Sequence, residues 1–201
     1  MKIHSAEFVV GAVSPKQFPT PFLPEVAFLG KSNVGKSSLI NTLLNRKRLV
    51  KTSGTPGKTR EINFFLINGN FRFVDLPGYG FSRVAKSQKQ HWQQLIESYL
   101  RNRTGLQGLV LILDARHPPG AHDLALQGWL QENGLRYLPI ANKVDKLKKS
   151  QVSRQLASLG GALAAPEPPL AFSASTRVGR DALWRHLAGW LGEPIIVRDS
   201  R

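Results

Sequence analysis

The chain has 201 residues, of which 41% are hydrophobic and 20% charged, a composition that suits one folded domain and excludes a disordered or fibrous protein. The longest apolar run, residues 109–113, is far too short to span a membrane, and the lack of cysteine excludes disulfides and thiolate metal sites. Lys and Arg number 28 against 13 Asp and Glu, a net charge of +15, which favours a nucleic-acid-rich partner over an anionic membrane.

Residues 1–24 are predicted to form an extended lead-in to a single domain over residues 25–195, with a polar tail at residues 196–201. The second half of the lead-in is rich in proline, which disfavours regular secondary structure. Residues 8–13 are apolar, but Glu7 adjoins them and no Ala-x-Ala cleavage site follows. We therefore expect no signal peptide and a cytoplasmic location.

A phosphate-binding loop is predicted between a strand at residues 26–29 and a helix at residues 38–44, with the pattern G-x-x-x-x-G-K-S. Its glycines let backbone N–H groups turn inward around a phosphate, and the helix N-terminus adds positive charge there. Lys36 can reach the β- and γ-phosphates, and the Ser37 hydroxyl can ligate Mg²⁺. The predicted phosphate-contacting residues are Gly30, Lys31, Ser32, Asn33, Val34, Gly35, Lys36, Ser37 and Ser38.

Residues 52–61 form a polar segment, rich in glycine and proline, between the first predicted helix and the second strand. Its Thr-Pro-Gly-Lys-Thr sequence offers two hydroxyl groups for a Mg²⁺-coordinating switch threonine. We prefer Thr59 because it is nearer to the following strand, with Thr55 as the alternative. The nucleotide-contacting residues predicted here are Gly57, Lys58, Thr59, Arg60 and Glu61.

A β-hairpin is predicted next, with strands at residues 62–67 and 71–74, because Asn68-Gly69 between them favours a tight turn. The second strand is followed by Asp75, Leu76, Pro77 and Gly78. Asp75 would hold Mg²⁺ through water, and the Gly78 N–H would contact the γ-phosphate and reorient when that phosphate leaves. In isolation this sequence is more typical of a surface turn, so its interpretation depends on the phosphate loop.

The remaining chain alternates apolar strands with amphipathic helices. Helical stripes lie at residues 92–100, 126–130 and 183–191, and strands at residues 109–113, 137–140 and 170–172. The strand at residues 109–113 is apolar at every position, as is typical of a central parallel strand. The pattern predicts an α/β fold of three layers, with a mostly parallel six-stranded sheet, one antiparallel strand and helices on both faces.

Guanine recognition is predicted after the strand at residues 137–140, where the chain reads Asn142, Lys143, Val144 and Asp145. The Asp145 carboxylate can accept hydrogen bonds from guanine N1–H and the 2-amino group, whereas adenine offers neither donor. Asn142 is expected to tie this loop to the phosphate loop, and the Lys143 stem to cover the base. After the last strand, the Ala174 N–H is placed to donate to guanine O6, within the motif Phe172, Ser173, Ala174 and Ser175.

These motifs and their flanking residues resemble the translation-factor-related GTPases and, within them, the EngB family (also called YihA or YsxC) of bacterial GTPases. The resemblance covers nearly the whole chain. It rests on Pro-Glu-Val-Ala-Phe at 24–28, the phosphate loop at 30–38, Thr-Pro-Gly-Lys-Thr at 55–59, Ile-Asn-Phe-Phe at 62–65, Asp-Leu-Pro-Gly-Tyr-Gly at 75–80 and Asp-Ala-Arg at 114–116. Other GTPases share the nucleotide motifs but rarely these flanking segments.

The resemblance implies a single Ras-like P-loop GTPase domain that binds GTP or GDP with Mg²⁺. It also implies a role in maturing the large ribosomal subunit and a link to normal cell division. The expected Mg²⁺ ligands are Ser37, Thr59 and, through water, Asp75. The residues expected to act in hydrolysis are Lys36, Asn33, Thr59 and Gly78.

Hydrolysis is expected to be slow, because Tyr79 stands where many GTPases carry a glutamine after D-x-x-G. A phenol cannot position water as that amide does, so we expect stimulation by a partner or by a cation. Asn33 resembles the potassium-coordinating asparagine of some related GTPases, which gives the hypothesis that K⁺ supplies the missing positive charge.

Basic residues cluster beside the predicted switch segment, residues 52–61, and beside the predicted base-binding loop, residues 142–145, which we call the base loop. Their charges favour a salt-dependent contact with the phosphates of ribosomal RNA. They are Arg46, Lys47, Arg48, Lys51, Lys58 and Arg60, and Lys146, Lys148 and Lys149. We expect a monomer without stable membrane insertion, whose partner is the large ribosomal subunit with its RNA and proteins. The alternatives are an ATP-using P-loop enzyme, which would leave Asp145 without a role, and an RNA-binding module with a vestigial nucleotide site.

Overall fold

The computed structural model describes residues 2–50, 61–79, 86–165 and 167–192, and over these ranges strands and helices alternate along the chain. The strands are β1 Ala6–Ala12, β2 Glu25–Gly30, β3 Ile62–Ile67, β4 Phe71–Asp75, β5 Leu106–Asp114, β6 Tyr137–Asn142 and β7 Leu170–Phe172. The helices are α1 Lys36–Leu43, α2 Lys86–Asn102, α3 Ala121–Glu132, α4 Lys149–Leu163 and α5 Arg180–Leu191. The α/β class predicted from the alternation is confirmed.

One seven-stranded sheet, in the order β1-β3-β4-β2-β5-β6-β7, forms the middle layer. β3 pairs antiparallel with both of its neighbours, and the other pairs are parallel, so β3 is the one reversed strand among the described residues. β2, β4 and β6 are buried along their full length, as expected of parallel strands covered on both faces. A mostly parallel sheet with one antiparallel strand is therefore correct, but the predicted count of six strands is one too low.

The additional strand is β1, which lies inside the segment predicted as an extended lead-in. It pairs with β3 from Ala6 opposite Ile67 to Ala12 opposite Ile62. At its start, the Asn68 Oδ1 accepts hydrogen bonds from the backbone N–H groups of His4 at 2.7 Å and Ser5 at 3.2 Å. β1 lacks apolar alternation because it is an edge strand with side chains exposed on both faces, so sequence periodicity alone does not reveal it.

The predicted hairpin is confirmed, and its turn explains the choice of Asn68-Gly69. Both residues adopt positive φ, 51° at Asn68 and 74° at Gly69, and the Asn70 N–H closes the turn onto the Ile67 carbonyl at 3.0 Å. Asparagine and glycine adopt this backbone conformation at low cost. The turn therefore fixes the register of β3 against β4.

Helices cover both faces of the sheet. On one face, α1 and α5 pack against β2 and β4, and Trp184 stacks on Phe73 with ring centroids 5.5 Å apart. On the other face, α2 and α3 enclose a second core around Leu95 and Tyr99. Within the described ranges, no helix combines the length and apolarity needed to cross a bilayer.

The parallel strands all end at one edge of the sheet, and the predicted motifs follow those ends. β2 leads into the phosphate loop, β4 into Asp75–Gly78, β6 into the segment that begins at Asn142, and β7 into the segment that begins at Ser173. Ligands of open α/β sheets bind at this edge, where loops and helix N-termini converge. Topology therefore gathers four segments that are up to about 140 residues apart in the sequence.

Candidate nucleotide-binding site

The phosphate loop turns sharply from the end of β2 at Gly30 to the start of α1 at Lys36. Gly35 has φ 97°, and a Cβ there would lie 2.6 Å from Asn142 Nδ2. Asn33 also has a positive φ, of 62°. Glycine is therefore required at position 35 both for its backbone conformation and for the close approach of the base loop.

Lys36 and Asp75 form a buried ion pair where β2 and β4 end, with side chains that are 10% and 2% exposed. A buried charge is costly unless an opposite charge and hydrogen bonds accompany it. Lys36 donates to Asp75 Oδ1 here. The pair thus places a positive and a negative group side by side at the phosphate end of the site.

The segment after β4 lies directly against the phosphate loop. The Tyr79 N–H donates to the Gly30 carbonyl at 3.3 Å, and the Ser32 N–H donates to the Tyr79 carbonyl at 3.2 Å. A Cβ on Gly78 would lie 3.1 Å from Ser32 Oγ and 3.3 Å from the Gly30 oxygen. These contacts are tight for any side chain, so glycine at position 78 allows the segment to reach the loop.

Asn142 ties the base loop to the phosphate loop, with Nδ2 donating to the Val34 carbonyl at 2.9 Å. Its Oδ1 is buried and has no partner among the described residues. Lys143 adopts φ 67°, and its Nζ donates to the Asn33 carbonyl at 2.8 Å and to Asp114 Oδ2 at 3.0 Å. The side chains of Asn142 and Lys143 thereby fix the position of the loop that follows β6.

Asp114 is a site residue to which the sequence analysis assigned no role. Burial raises the pKa of its carboxyl, but hydrogen bonds from Arg116 and Lys143 outweigh burial and hold that pKa well below its usual range. The carboxylate therefore stays charged and keeps the Lys143 ammonium in place. The Asp-Ala-Arg triplet that begins at the last residue of β5 could have drawn attention to Asp114 in the sequence. Nothing in the sequence, however, linked this triplet to Lys143.

Asp145 lies beside the segment that follows β7, although 28 residues separate it from Ser173. The Ser173 hydroxyl donates to Asp145 Oδ1 at 2.7 Å, and its oxygen lies 3.0 Å from that of Ser175. The Ser173 hydrogen bond lowers the pKa of Asp145, whose side chain is 15% exposed. Asp145 is thus a charged acceptor at neutral pH.

Hydrogen bonds hold the motif of residues 172–175 and helix α5 against α1. Thr42 Oγ1 donates to the Ala174 carbonyl at 3.3 Å. From α5, Arg180 Nε donates to the Thr42 carbonyl at 3.0 Å, and Trp184 Nε1 donates to the Leu43 carbonyl at 3.1 Å. These side chains satisfy the free carbonyls at the end of α1, so α1, α5 and residues 173–175 are joined.

The other predicted site residues fall into two groups. Ser37 and Ser38 lie in the first turn of α1, Leu76, Pro77, Val144 and Phe172 are buried, and Glu61 is exposed just before β3. The predicted contacts Gly57, Lys58, Thr59 and Arg60, and the alternative Thr55, lie outside the described residues.

The fold and the site define a class of protein, and comparison with known proteins agrees. The model of the family described as 50S ribosome-binding GTPase matches residues 25–143, more than half of the chain. With the phosphate loop, Asp75–Gly78 and Asn142–Asp145 at one edge of a Ras-like sheet, the chain is a P-loop GTPase that binds guanine nucleotide and hydrolyses GTP.

The relatives narrow this class to one family. The probable GTP-binding protein EngB of Syntrophus aciditrophicus (strain SB) is 51% identical over 193 residues, 96% of this chain and 98% of that protein. The probable GTP-binding protein EngB of Pelotomaculum thermopropionicum is 45% identical over 96% of this chain and 98% of that protein. The chain belongs to the EngB family.

A solved structure supports the fold. The crystal structure of a probable GTP-binding protein EngB superposes with a TM-score of 0.68 at 24% sequence identity, covering 85% of this chain and all of that chain.

Proposed function

We propose that this GTPase acts in assembly of the large ribosomal subunit, and through it in normal cell division, with slow Mg²⁺-dependent hydrolysis of GTP. The observation that carries the proposal is the match to a family described as 50S ribosome-binding, on a chain with a net charge of +15. Such a charge favours association with a polyanion such as ribosomal RNA.

The phosphate end of the site suits a nucleotide with Mg²⁺, because a buried cation and a buried carboxylate lie side by side there. In this proposal Lys36 holds the β- and γ-phosphates, and the Mg²⁺ ligands are Ser37, Thr59 and, through water, Asp75. When bound, Mg²⁺ neutralises charge on the phosphate oxygens. The Gly78 N–H reports the presence of the γ-phosphate.

Guanine is selected by Asp145 and the segment after β7. A charged Asp145 accepts hydrogen bonds from guanine N1–H and the 2-amino group, whereas adenine would leave that carboxylate without a donor. The Ser173 hydrogen bond holds the carboxylate in its ionised form. The Ala174 N–H completes the recognition by donating to guanine O6.

The surroundings of Tyr79 support the proposal of slow hydrolysis. Its hydroxyl donates to Asp123 Oδ1 at 2.6 Å, and burial together with Asp123 raises the pKa of the phenol far above its usual value. The phenol therefore stays protonated and its O–H is committed to Asp123, so it serves neither as a general base nor as a hydrogen-bond donor to an attacking water. We assign the missing positive charge to K⁺ held by Asn33, or to a group supplied by the partner.

Contact with the ribosome is assigned to exposed basic residues near the site. Arg46, Lys47 and Arg48 follow α1 and are exposed, and Lys146, Lys148 and Lys149 are exposed after the base loop. Lys51, Lys58 and Arg60 lie outside the described residues. Contacts of this kind to RNA phosphates weaken steeply as salt rises.

The test is co-sedimentation of the protein with purified large ribosomal subunits in GDP, in a non-hydrolysable GTP analogue and without nucleotide, across a salt series. We expect binding that depends on the nucleotide and declines linearly in a double-logarithmic plot against salt. Isolated small subunits provide the control. Equal binding to both subunits in every nucleotide state would refute the proposal, and replacing K⁺ by Na⁺ without changing the GTPase rate would refute the role of K⁺.

A further inference from the structure

Tyr79 makes contacts that nucleotide binding does not require. It directly follows Gly78, it is partly buried, and its hydroxyl reaches Asp123 in the first turn of α3. Asp123 is itself only 8% exposed. A short hydrogen bond from a phenol to a carboxylate is among the stronger side-chain contacts, so the contact firmly joins two elements that lie 44 residues apart.

The backbone of the same residue is bound to the phosphate loop. The Tyr79 N–H and carbonyl bond to Gly30 and Ser32, and Ser32 Oγ lies 3.4 Å from the Tyr79 carbonyl. Tyr79 therefore contacts the phosphate loop through its main chain and α3 through its side chain. Gly78 and Tyr79 share one planar peptide unit, so a displacement of that unit changes the direction of the Tyr79 N–H that donates to the Gly30 carbonyl.

Asp123 passes the connection on to the loop before α3. Its Oδ2 accepts a hydrogen bond from the Gly120 N–H at 2.8 Å, and its own N–H donates to the Gly120 carbonyl at 2.9 Å. One carboxylate thus receives both the Tyr79 phenol and the amide that begins the helix. Since helix starts depend on such caps, the position of Asp123 sets the position of the preceding loop.

Space for movement is present beside these contacts. A cavity of about 390 Å³ separates the phosphate loop at Lys31–Val34 from the loop of residues 116–120 and Asp123. Close-packed interiors resist small shifts. Residues 116–120 border this cavity, which Asp114 and Lys143 also line, and do not pack directly against the phosphate loop along it. Arg116, His117 and Pro118 of this loop are exposed.

We propose that Tyr79 is a positioning residue that transmits occupancy of the γ-phosphate site from Gly78 to Asp123 and the loop of residues 115–120. The inference rests on the γ-phosphate contact assigned to Gly78 under the proposed function. The loop, whose Arg116 and His117 are exposed, is then a surface that differs between the GTP and GDP states.

The test is hydrogen exchange measured by mass spectrometry on peptides that cover residues 115–124, in GDP and in a non-hydrolysable GTP analogue. In the wild-type protein we expect an exchange rate that differs about tenfold between the two states, the scale set by one charge-assisted hydrogen bond. Tyr79→Phe removes only the hydroxyl and should abolish the difference. Tyr137→Phe is the matched control, since its buried hydroxyl also contacts α3, at Gln127, and it should keep the difference.

A second variant checks the path of transmission. Asp123→Asn retains an oxygen that can cap Gly120 but loses the charged acceptor of the phenol, so it should also abolish the difference, and the double variant should add nothing. GDP affinity within about twofold of wild type shows that each variant is folded. No nucleotide-dependent exchange in the wild type, or a difference that survives Tyr79→Phe, overturns the inference.

Hydrogen exchange and large-subunit binding, both measured on the wild-type protein and these variants, test the Tyr79 inference and the proposed function separately. If exchange at residues 115–124 responds to the nucleotide while large-subunit binding does not, the proposed function fails and the Tyr79 inference stands. If binding responds to the nucleotide while exchange does not, only the Tyr79 inference fails.

Discussion

The strands begin at one edge of the sheet and end at the other, and each edge buries carboxylates and cations, but the two clusters differ in how many hydrogen bonds hold them. At the amino ends, Glu25 is fully buried and accepts hydrogen bonds from Arg72, Arg103 and Tyr99. At the carboxyl ends, the side chains of Lys36 and Asp75 are paired with each other, and among the described residues they have no other side-chain partner. The Glu25 cluster is held by several charge-assisted hydrogen bonds, although the buried Arg72 Nε has no partner among the described residues. Such a cluster adds rigidity, whereas a sparse pair can exchange its partners for those of a ligand.

The amino-end cluster also holds the lead-in. Arg103 Nη2 donates to the Pro19 carbonyl at 2.8 Å, and Arg72 Nη2 donates to the Pro21 carbonyl at 3.0 Å. The Arg103 guanidinium lies over the rings of Phe18 and Phe22 at 5.8 and 4.7 Å. This region thus uses every charge for structure, and the comparison teaches that burial of an ionic group alone does not indicate a functional site.

The largest expected effect comes from breaking the structural cluster. Glu25→Ala would leave two buried arginines without their carboxylate, and we expect the free energy of unfolding to fall by about 3–5 kcal/mol. Urea denaturation measures this loss, with Glu132→Ala, an exposed glutamate at the end of α3, as the control. An equal effect of the two substitutions would contradict the structural role of Glu25.

The next largest effect is expected at the Lys36–Asp75 pair, in how much bound GDP stabilises the protein against unfolding. GDP at 100 times its Kd should raise the unfolding free energy of the wild-type protein by about 2.7 kcal/mol. Lys36→Ala should lose most of this increment, because the phosphates lose their buried cation. The exposed Lys16 provides the control Lys16→Ala, and thermal shift with and without GDP gives the readout. Retention of the full increment by Lys36→Ala would refute its role.

A smaller effect is expected from a substitution of Asp145 that keeps the fold but removes the preference for guanine. Asp145→Asn presents one donor and one acceptor, so guanine would lose about tenfold to a hundredfold in affinity. Xanthine, which offers N1–H and a carbonyl at C2, should gain affinity instead. Competition binding with both nucleoside diphosphates measures the exchange. Asp181→Asn, at a side chain that is 91% exposed, should change neither affinity.

The smallest expected effect is on the pH dependence of the stability that Asp145 contributes at the carboxyl ends of the strands. Ser173 lowers the pKa of Asp145, and a carboxyl with a depressed folded-state pKa contributes stability above its unfolded-state value of about 3.9. That contribution is lost as pH falls through the folded-state pKa. Ser173→Ala should therefore cost about 1 kcal/mol above pH ~4, and the pH-dependent part of this cost should vanish in more acidic solution.

Urea unfolding from pH 3 to pH 7 measures the effect of Ser173→Ala. Ser175→Ala is the graded comparison, because the Ser175 hydroxyl lowers the pKa of Asp145 less than that of Ser173 does. A cost for Ser173→Ala that stays constant across the range would show that its hydroxyl does not act through the charge of Asp145.

Much of the site could be predicted because its chemistry is local in sequence. The phosphate loop needs glycines and a lysine at fixed spacing, and residues 142–145 stand directly after a strand. Asp114 and Tyr79 gained their roles only from distant partners, Lys143 and Asp123. A hydrogen bond between side chains 29 or 44 residues apart depends on how helices pack on the sheet, which no local pattern contains.

The sequence by itself determined the α/β alternation, the β3–β4 hairpin and the order of the nucleotide motifs, because periodicity, turn chemistry and spacing act over a few residues. Only the tertiary structure decided that β1 joins the sheet, that Glu25 holds two arginines, and that Tyr79 joins the phosphate loop to α3. These features depend on pairing and packing between distant segments. The free energy that stabilises these features comes from the burial of side chains and from the geometry of their hydrogen bonds, and both exist only once the chain has folded.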